Sequence, residues 1–258
     1  HRLLGLGVRG AQVRTFHAAA LRQLRFFWPQ LSRTAFPELM SSKASIVARS
    51  LAHCKVDSDK ALVRDVSGDI EWCKSNMMDS ALIHKAKRDF AIDVATLAKV
   101  MDSYETLKKD RNLLDFDDIL MLMSAAIRTR PDIQSAVHSA YRWFTVDEFQ
   151  DVNPLQKSVL DLWIGERDDI CVVGDPSQTI YSFTGASSKY LTDFVKTYPN
   201  STLVDLVRCY RCSPEIVAMA NAVIHADSRS KPLTLRSQQA SGPAPKITAY
   251  ADDNDEAE

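Results

Sequence analysis

A chain of 258 residues, 45% hydrophobic and 25% charged, has the make-up of an ordinary globular protein and holds one large or two modest domains. Its formal net charge of −1 excludes a general basic coat, so a nucleic-acid site would have to be a local groove where stacking carries much of the contact. No apolar run approaches about 18 residues, which excludes a membrane-spanning helix, and Arg9 and Arg14 interrupt any signal-like region; a cytoplasmic protein with no membrane partner is expected.

Residues 11 to 30 read as a short strand, a turn at Thr15-Phe16-His17 and an amphipathic helix toward Trp28. From about 33 to 111 the strand signal fades and helical patches take over, at Ser45 to Cys54, Val66 to Cys73 and Ile92 to Leu107. Residues 113 to 207 alternate helix and strand, with strands near 143–146, 170–174 and 202–207. Asn153 and Pro154 suit a helix cap and first turn, as do Ser213-Pro214-Glu215 before a helix running to about His225. Ser228 to Pro245 reads as loop, Lys246 to Tyr250 as one last strand, and Asp252 to Glu258 as a solvated acidic tail. Cys54, Cys73 and Cys171 stand in apolar contexts as small core residues. Cys209-x-x-Cys212 has no second pair or nearby His pair to complete a zinc site.

The chemistry gathers at two apolar runs. Trp143 to Asp151 (WFTVDEFQD) carries Asp147 and Glu148 at its end, and Ile170 to Asp175 (ICVVGD) ends in another carboxylate. Short, β-branched runs bounded by turn residues are how strands buried on both faces of a parallel sheet read. Ligands of such sheets bind at the carboxyl ends of strands, so Asp147, Glu148 and Asp175 are expected to face one crevice, where three carboxylates would suit a divalent cation and an activated water.

These residues resemble the UvrD/PcrA/Rep-type superfamily 1 DNA helicases. Val146 to Gln156 is similar to their motif II, Gly174 to Ala186 to motif III, and Leu206 to Cys212 to motif IV. Thr15-Phe16-His17 resembles motif Ia, and Leu114 to Asp118 resembles the LDFDDL segment where the chain re-enters the motor domain. The resemblance implies an α/β fold: a RecA-like P-loop NTPase parallel sheet lacking its first strand and phosphate loop. Motor domain 1A would comprise residues 1–32 and 112–207, a helical 1B insertion residues 33–111, and the start of motor domain 2A residues 208–258.

It also implies ATP and Mg²⁺ as cofactors. Asp147 would be the metal ligand, Glu148 the residue that orients or deprotonates the attacking water, and Gln178 the sensor of the γ-phosphate. Arg211 would be the arginine finger, since a planar guanidinium matches phosphate oxygens with paired hydrogen bonds. The implied DNA-binding residues are Phe16, Phe116, Tyr181 and Phe183, whose aromatic faces would stack on any base, and Thr15 and His17, which would hydrogen-bond to backbone phosphates. Single-stranded DNA and single-strand/duplex junctions would be the partners, and the activity 3′-to-5′ translocation and unwinding in DNA repair or replication.

Two departures mark the chain as similar to a divergent bacterial UvrD paralogue: Phe183 stands where Trp is common, and Thr184 replaces the usual Arg. No G-x-x-x-x-G-K-[ST] phosphate loop occurs in the sequence. In the family that loop lies upstream of motif Ia, and motifs V and VI follow motif IV, so the chain is expected to be an internal fragment that is inactive alone. The alternatives are the motor portion of a RecB/AddA-type helicase-nuclease and a non-catalytic DNA-binding module.

Overall fold

The computed structural model describes residues 11–180, 184–226 and 233–252. The chain forms two units that meet in sequence between Asp193 and Phe194; the boundary expected at 207/208 lies inside the second. Its secondary structure is α/β, with helices and, among the described residues, three pairs of short parallel strands.

The first unit begins with helix α1, Phe16–Leu31. The Thr15 hydroxyl accepts from the Ala18 amide at 3.2 Å, and this cap commits Phe16 and His17 to the helix rather than to the expected turn. The strand expected before it is absent: residues 11–15 are exposed and form no ladder. Ala20, Gln23, Leu24 and Phe27 form the buried stripe of α1.

A helical region follows, and the chain enters and leaves it through two short strands side by side. β1 (Glu38–Leu39) pairs in parallel with β2 (Leu113–Leu114). Between them lie α2 (Ala44–His53), α3 (Lys60–Ser75) and α4 (Val94–Asp110). Asp59 and Asp93 cap α3 and α4 by accepting from the Leu62 and Thr96 amides at 2.8 and 3.0 Å. The three helices enclose a core of their own that includes Ile46, Leu51, Val66, Ile70, Leu97, Val100 and Tyr104.

The chain then returns into α5 (Phe116–Thr129), whose N-terminus is a reciprocal capping box: the Asp115 and Asp118 carboxylates each accept from the other's amide. Helix α6 is Pro131–Ala140. β3 (Phe144–Val146), α7 (Pro154–Ile164) and β4 (Ile170–Val172) form a β-α-β unit with parallel strands in the register Phe144↔Ile170, Thr145↔Cys171, Val146↔Val172. Asn153 caps α7 as expected, in a second capping box with Gln156. Helix α5 packs against α1, α6 and α7, burying Leu24, Ile119, Met123, Ile133, Val159 and Trp163 in one apolar layer. The short helix α8, Lys189–Thr192, ends the unit.

Two expectations need correction here. β3 and β4 are not buried on both faces: only Val146 is buried, while Thr145 and Cys171 are exposed. A two-stranded ladder covers one edge of each strand, so a side chain on its open face meets water. Cys171 is therefore no core residue, whereas Cys73 is buried and Cys54 half-buried.

In the second unit α9 is Phe194–Thr197, and β5 (Arg208–Cys209) pairs in parallel with β6 (Arg236–Ser237). Helix α10, Pro214–Ala226, lies between them in sequence and starts at the expected proline. The strand expected at 202–207 is absent, because the ladder begins one residue later, where β6 offers a partner. Residues 246–250 form no strand either, and the segment expected to be loop supplies β6. No helix of the described residues is long and apolar enough to cross a membrane.

Candidate functional site

Asp147 and Glu148 follow the last residue of β3, at its carboxyl end, and both are exposed. Glu148 sits in the left-handed region at φ +52°, a conformation costing a non-glycine residue about 1–3 kcal/mol. That backbone turn starts a short 3-10 segment, Phe149–Asp151, which buries Phe149 and Gln150 beneath the carboxylates. The Asp147 Oδ1 accepts from the Glu148 amide at 3.0 Å.

Gln150, 1% exposed, links the two motifs. Its Nε2 donates to Glu148 Oε2 at 2.7 Å, and its Oε1 accepts from the Asp175 amide at 3.1 Å. Asp175 in turn accepts from the Ser177 amide at 2.9 Å and from Gln178 Nε2 at 2.9 Å, closing the turn Pro176–Gln178. Glu148 and Gln178 are thus joined through Gln150 and Asp175 in one hydrogen-bonded relay. Gly174 leaves the room for it: a Cβ there would lie 2.5 Å from Gln150 Oε1 and 2.9 Å from Leu191 Cδ2.

The expected convergence of three carboxylates does not occur. Asp147, Glu148 and Asp175 do not close into a three-ligand group among the described residues, and both Asp175 oxygens are engaged in its own turn. Asp175 is a structural residue of that turn. Asp151, in the same 3-10 segment as Gln150, keeps one buried carboxylate oxygen, Oδ1, without a partner.

Of the residues expected to meet DNA, Thr15, Phe16, His17 and Phe116 fall at the start of α1 and of α5. The Thr15 hydroxyl is engaged in capping α1. Phe16 is half-buried and stacks on Trp163 at 5.9 Å, and Phe144 stacks on the same indole at 6.3 Å. The Trp163 Nε1 donates to Gln23 Oε1 at 2.8 Å inside the core. His17 meets the edge of the Phe116 ring at 5.9 Å; its Nε2 is buried without a hydrogen-bond partner, and burial lowers its pKa below 6.5 even though Asp117 opposes the shift. Phe116 is 52% exposed. Tyr181 and Phe183 lie outside the described residues. Arg211 belongs to the second unit and is exposed, just after β5.

Two features carry no signal of their own in the sequence. One is the role of Gln150, which only its contacts disclose. The other is a buried charge cluster around the α5 cap. Lys74 Nζ donates to Asp115 and Asp118 at 2.7 and 2.5 Å, and Lys108 Nζ donates to the same two carboxylates at 3.0 and 2.6 Å. The Tyr104 hydroxyl adds a bond to Asp115 at 2.9 Å. Burial alone would raise the Asp115 pKa, but Lys74 and Lys108 outweigh it and hold the carboxyl well below 3.8. Likewise, burial would discharge Lys74, yet Asp115 and Asp118 hold its pKa above 10.5. Glu105, Asp115 and Asp118 are close enough together to suggest a metal site, but the two ammonium groups already fill the space between them.

Comparison with known proteins extends these findings. Residues 1–199 match the family described as UvrD/REP helicase N-terminal domain. The chain is 41% identical over 263 residues to the ATP-dependent DNA helicase UvrD2 of Mycobacterium tuberculosis, an alignment covering 98% of this chain and 38% of the relative. It is 30% identical over 244 residues to the ATP-dependent DNA helicase PcrA of Leuconostoc citreum, covering 94% and 32%, and 27% identical over 255 residues to PcrA of Bacillus subtilis, covering 98% and 34%. The chain therefore spans only about a third of the length of these relatives.

Proposed function

The chain belongs to the UvrD/REP helicase N-terminal domain family, and on that footing we propose that it supplies the catalytic acid pair and a single-strand grip of an ATP-dependent 3′-to-5′ DNA helicase. In this reading residues 1–32 and 112–207 form a RecA-like motor domain, 33–111 its helical 1B insertion, and 208–258 the start of a second motor domain. The similarity to proteins named ATP-dependent DNA helicases supports it. The observation that carries it is the relay from Glu148 through Gln150 and Asp175 to Gln178.

The donor set fits a hard cation. Asp147 is exposed at the strand end, and the partnerless Asp151 Oδ1 leaves negative charge unbalanced in the adjoining turn. Mg²⁺ bound with ATP would neutralise charge on the phosphates, and Asp147 would hold it through water. Glu148 would orient the attacking water and accept its proton, held in place by the Gln150 amide. Gln178 would meet the γ-phosphate and pass its presence back along the relay. Arg211 would act as an arginine finger on that phosphate. On the DNA side, Phe116 would stack on a base, with His17 at its edge and Phe16, Tyr181 and Phe183 extending the surface; Thr15 would position the start of α1. Single-strand/duplex junctions, and work in repair or replication, complete the proposal.

The test has two parts. In a polypeptide that joins this chain to a phosphate loop, single-stranded DNA should stimulate ATP hydrolysis, and Glu148→Gln should abolish it; hydrolysis that survives this substitution overturns the assignment. The 258-residue chain should bind a labelled oligothymidine in fluorescence anisotropy, and Phe116→Ala should weaken it about 5- to 150-fold, the range expected for one stacked base. Unchanged binding by Phe116→Ala removes the stacking role.

A further inference from the structure

Phe116 stands among residues that are otherwise locked. Leu114, Asp115, Asp117, Asp118, Ile119 and Leu120 are all buried, and Phe116 alone in that run faces solvent. The carboxylates on either side of it are held by lysines from the helical region. Lys43, at the start of α2, bonds Asp117 at 3.0 Å; Lys74, near the end of α3, and Lys108, near the end of α4, bond Asp115 and Asp118. Burial and these partners leave the Lys74 and Lys108 side chains 5% and 2% exposed. They are out of reach of a nucleic-acid phosphate.

We infer that this clasp is a positioning device: Lys74, Lys108 and Tyr104 hold the α5 cap so that Phe116 presents a fixed ring to a base, and the packing of residues 44–110 thereby sets the strength of single-strand binding. The inference rests on the stacking role of Phe116 proposed above. A buried ion pair is a weak source of stability, since desolvation offsets much of the attraction. What it supplies is geometry. The Asp115 carboxylate accepts from Lys74, Lys108 and Tyr104 while also capping α5, so the first turn of the helix cannot rotate without stranding charge. An exposed Phe at that first turn inherits this restriction, and little of its binding free energy is then spent on ordering it.

The test measures oligothymidine binding by the 258-residue chain over a range of salt, for Tyr104→Phe, Lys108→Met and Phe116→Ala, and for each of the first two combined with Phe116→Ala. Tyr104→Phe removes one hydrogen bond from a neutral donor and keeps every charge, so it remains informative if Lys108→Met fails to fold by circular dichroism. Both clasp variants are expected to weaken binding, Lys108→Met by about tenfold, without changing the slope of log Kd against log salt. In the Phe116→Ala background they are expected to add nothing, because the ring they position is gone. Folded clasp variants that bind like the parent, or whose losses add to that of Phe116→Ala, overturn the inference and leave the stacking role standing. A reduced salt slope overturns it as well, since the lysines would then meet phosphate directly. A Phe116→Ala variant that binds normally overturns the stacking role and the inference together.

Discussion

Truncating Gln150 provides the most direct test of the site. Its side chain is 1% exposed and makes three hydrogen bonds, from Nε2 to Glu148 at 2.7 Å and to Asp151 at 3.4 Å, and to Oε1 from the Asp175 amide at 3.1 Å. A hydrogen bond to a charged group contributes roughly 1.5–3 kcal/mol, and leaving a buried donor unsatisfied costs about 1–3 kcal/mol. These ranges overlap in what they count, and Glu148 regains water on its exposed side, so Gln150→Ala is expected to lower unfolding free energy by about 2–4 kcal/mol. Gln150→Glu should be similarly harmful, since it sets a second carboxylate against Glu148. The exchange Glu148→Gln with Gln150→Glu restores an amide facing a carboxylate, and a favourable coupling of about 1–2 kcal/mol is expected between the two changes. All four tryptophans lie in the first unit, so urea unfolding followed by tryptophan fluorescence reports on the unit that holds the site. A Gln150→Ala loss below about 0.5 kcal/mol, typical of an unconstrained surface change, would refute the relay. So would an exchange no more stable than the sum of its parts.

The other predictions use the same unit. Gly174→Ala places a Cβ 2.5 Å from Gln150 Oε1 and should cost about 1–3 kcal/mol in urea unfolding, a loss partly relieved in the Gln150→Ala background. Trp163→Ala removes the ring on which Phe16 and Phe144 stack and strands Gln23 in the core; a loss of about 3–5 kcal/mol is expected by thermal or urea denaturation. Asp115 is held below its ordinary pKa of 3.8, so the unfolded chain takes up its proton first as pH falls. Its stabilisation is complete above pH 3.8 and is lost below it, which an acid titration of unfolding free energy should show and Asp115→Asn should remove. His17 is held below 6.5 by burial, so the unfolded chain again binds the proton first and stability should fall as pH drops below 6.5; His17→Gln should flatten that slope.

Local signals in the sequence went furthest where the structure itself is local. The helices at 44–53, 60–75 and 94–110 follow an apolar period set within each segment, and the caps at Asn153 and Pro214 lie where side-chain chemistry places them. Strands fared differently, because a strand needs a partner as well as a pattern. Leu203, Val204 and Leu206 look as strand-like as Ile170 to Val172, yet β6 pairs with Arg208 and Cys209 and leaves the apolar residues exposed. Residues 11–15 show the converse: a cap, formed by a single hydroxyl, decides that the next residue starts a helix.

The site divides along the same line. The position of Asp147 and Glu148 at the carboxyl end of β3 is legible, because the apolar run before them marks the strand. Asp175 also ends an apolar run, but its place just before Gln178 ranks it as a turn residue, and its bonds to Ser177 and Gln178 hold that turn. Lysines near helix ends are often solvated, but Lys74 and Lys108 are buried where Asp115 and Asp118, arriving from beyond β2, join Glu105 in neutralising them. Gln150 is the instructive case. An uncharged, buried amide gives no periodic or electrostatic signal, but a glycine follows β4 at the one place where a side chain would strike its oxygen. A buried amide can bridge a carboxylate and a backbone donor at once, which neither an ionised carboxylate nor a Lys or Arg cation can do. That dual capacity ties the orientation of Glu148 to the turn bearing Gln178, so any force that moves one of them must be felt by the other.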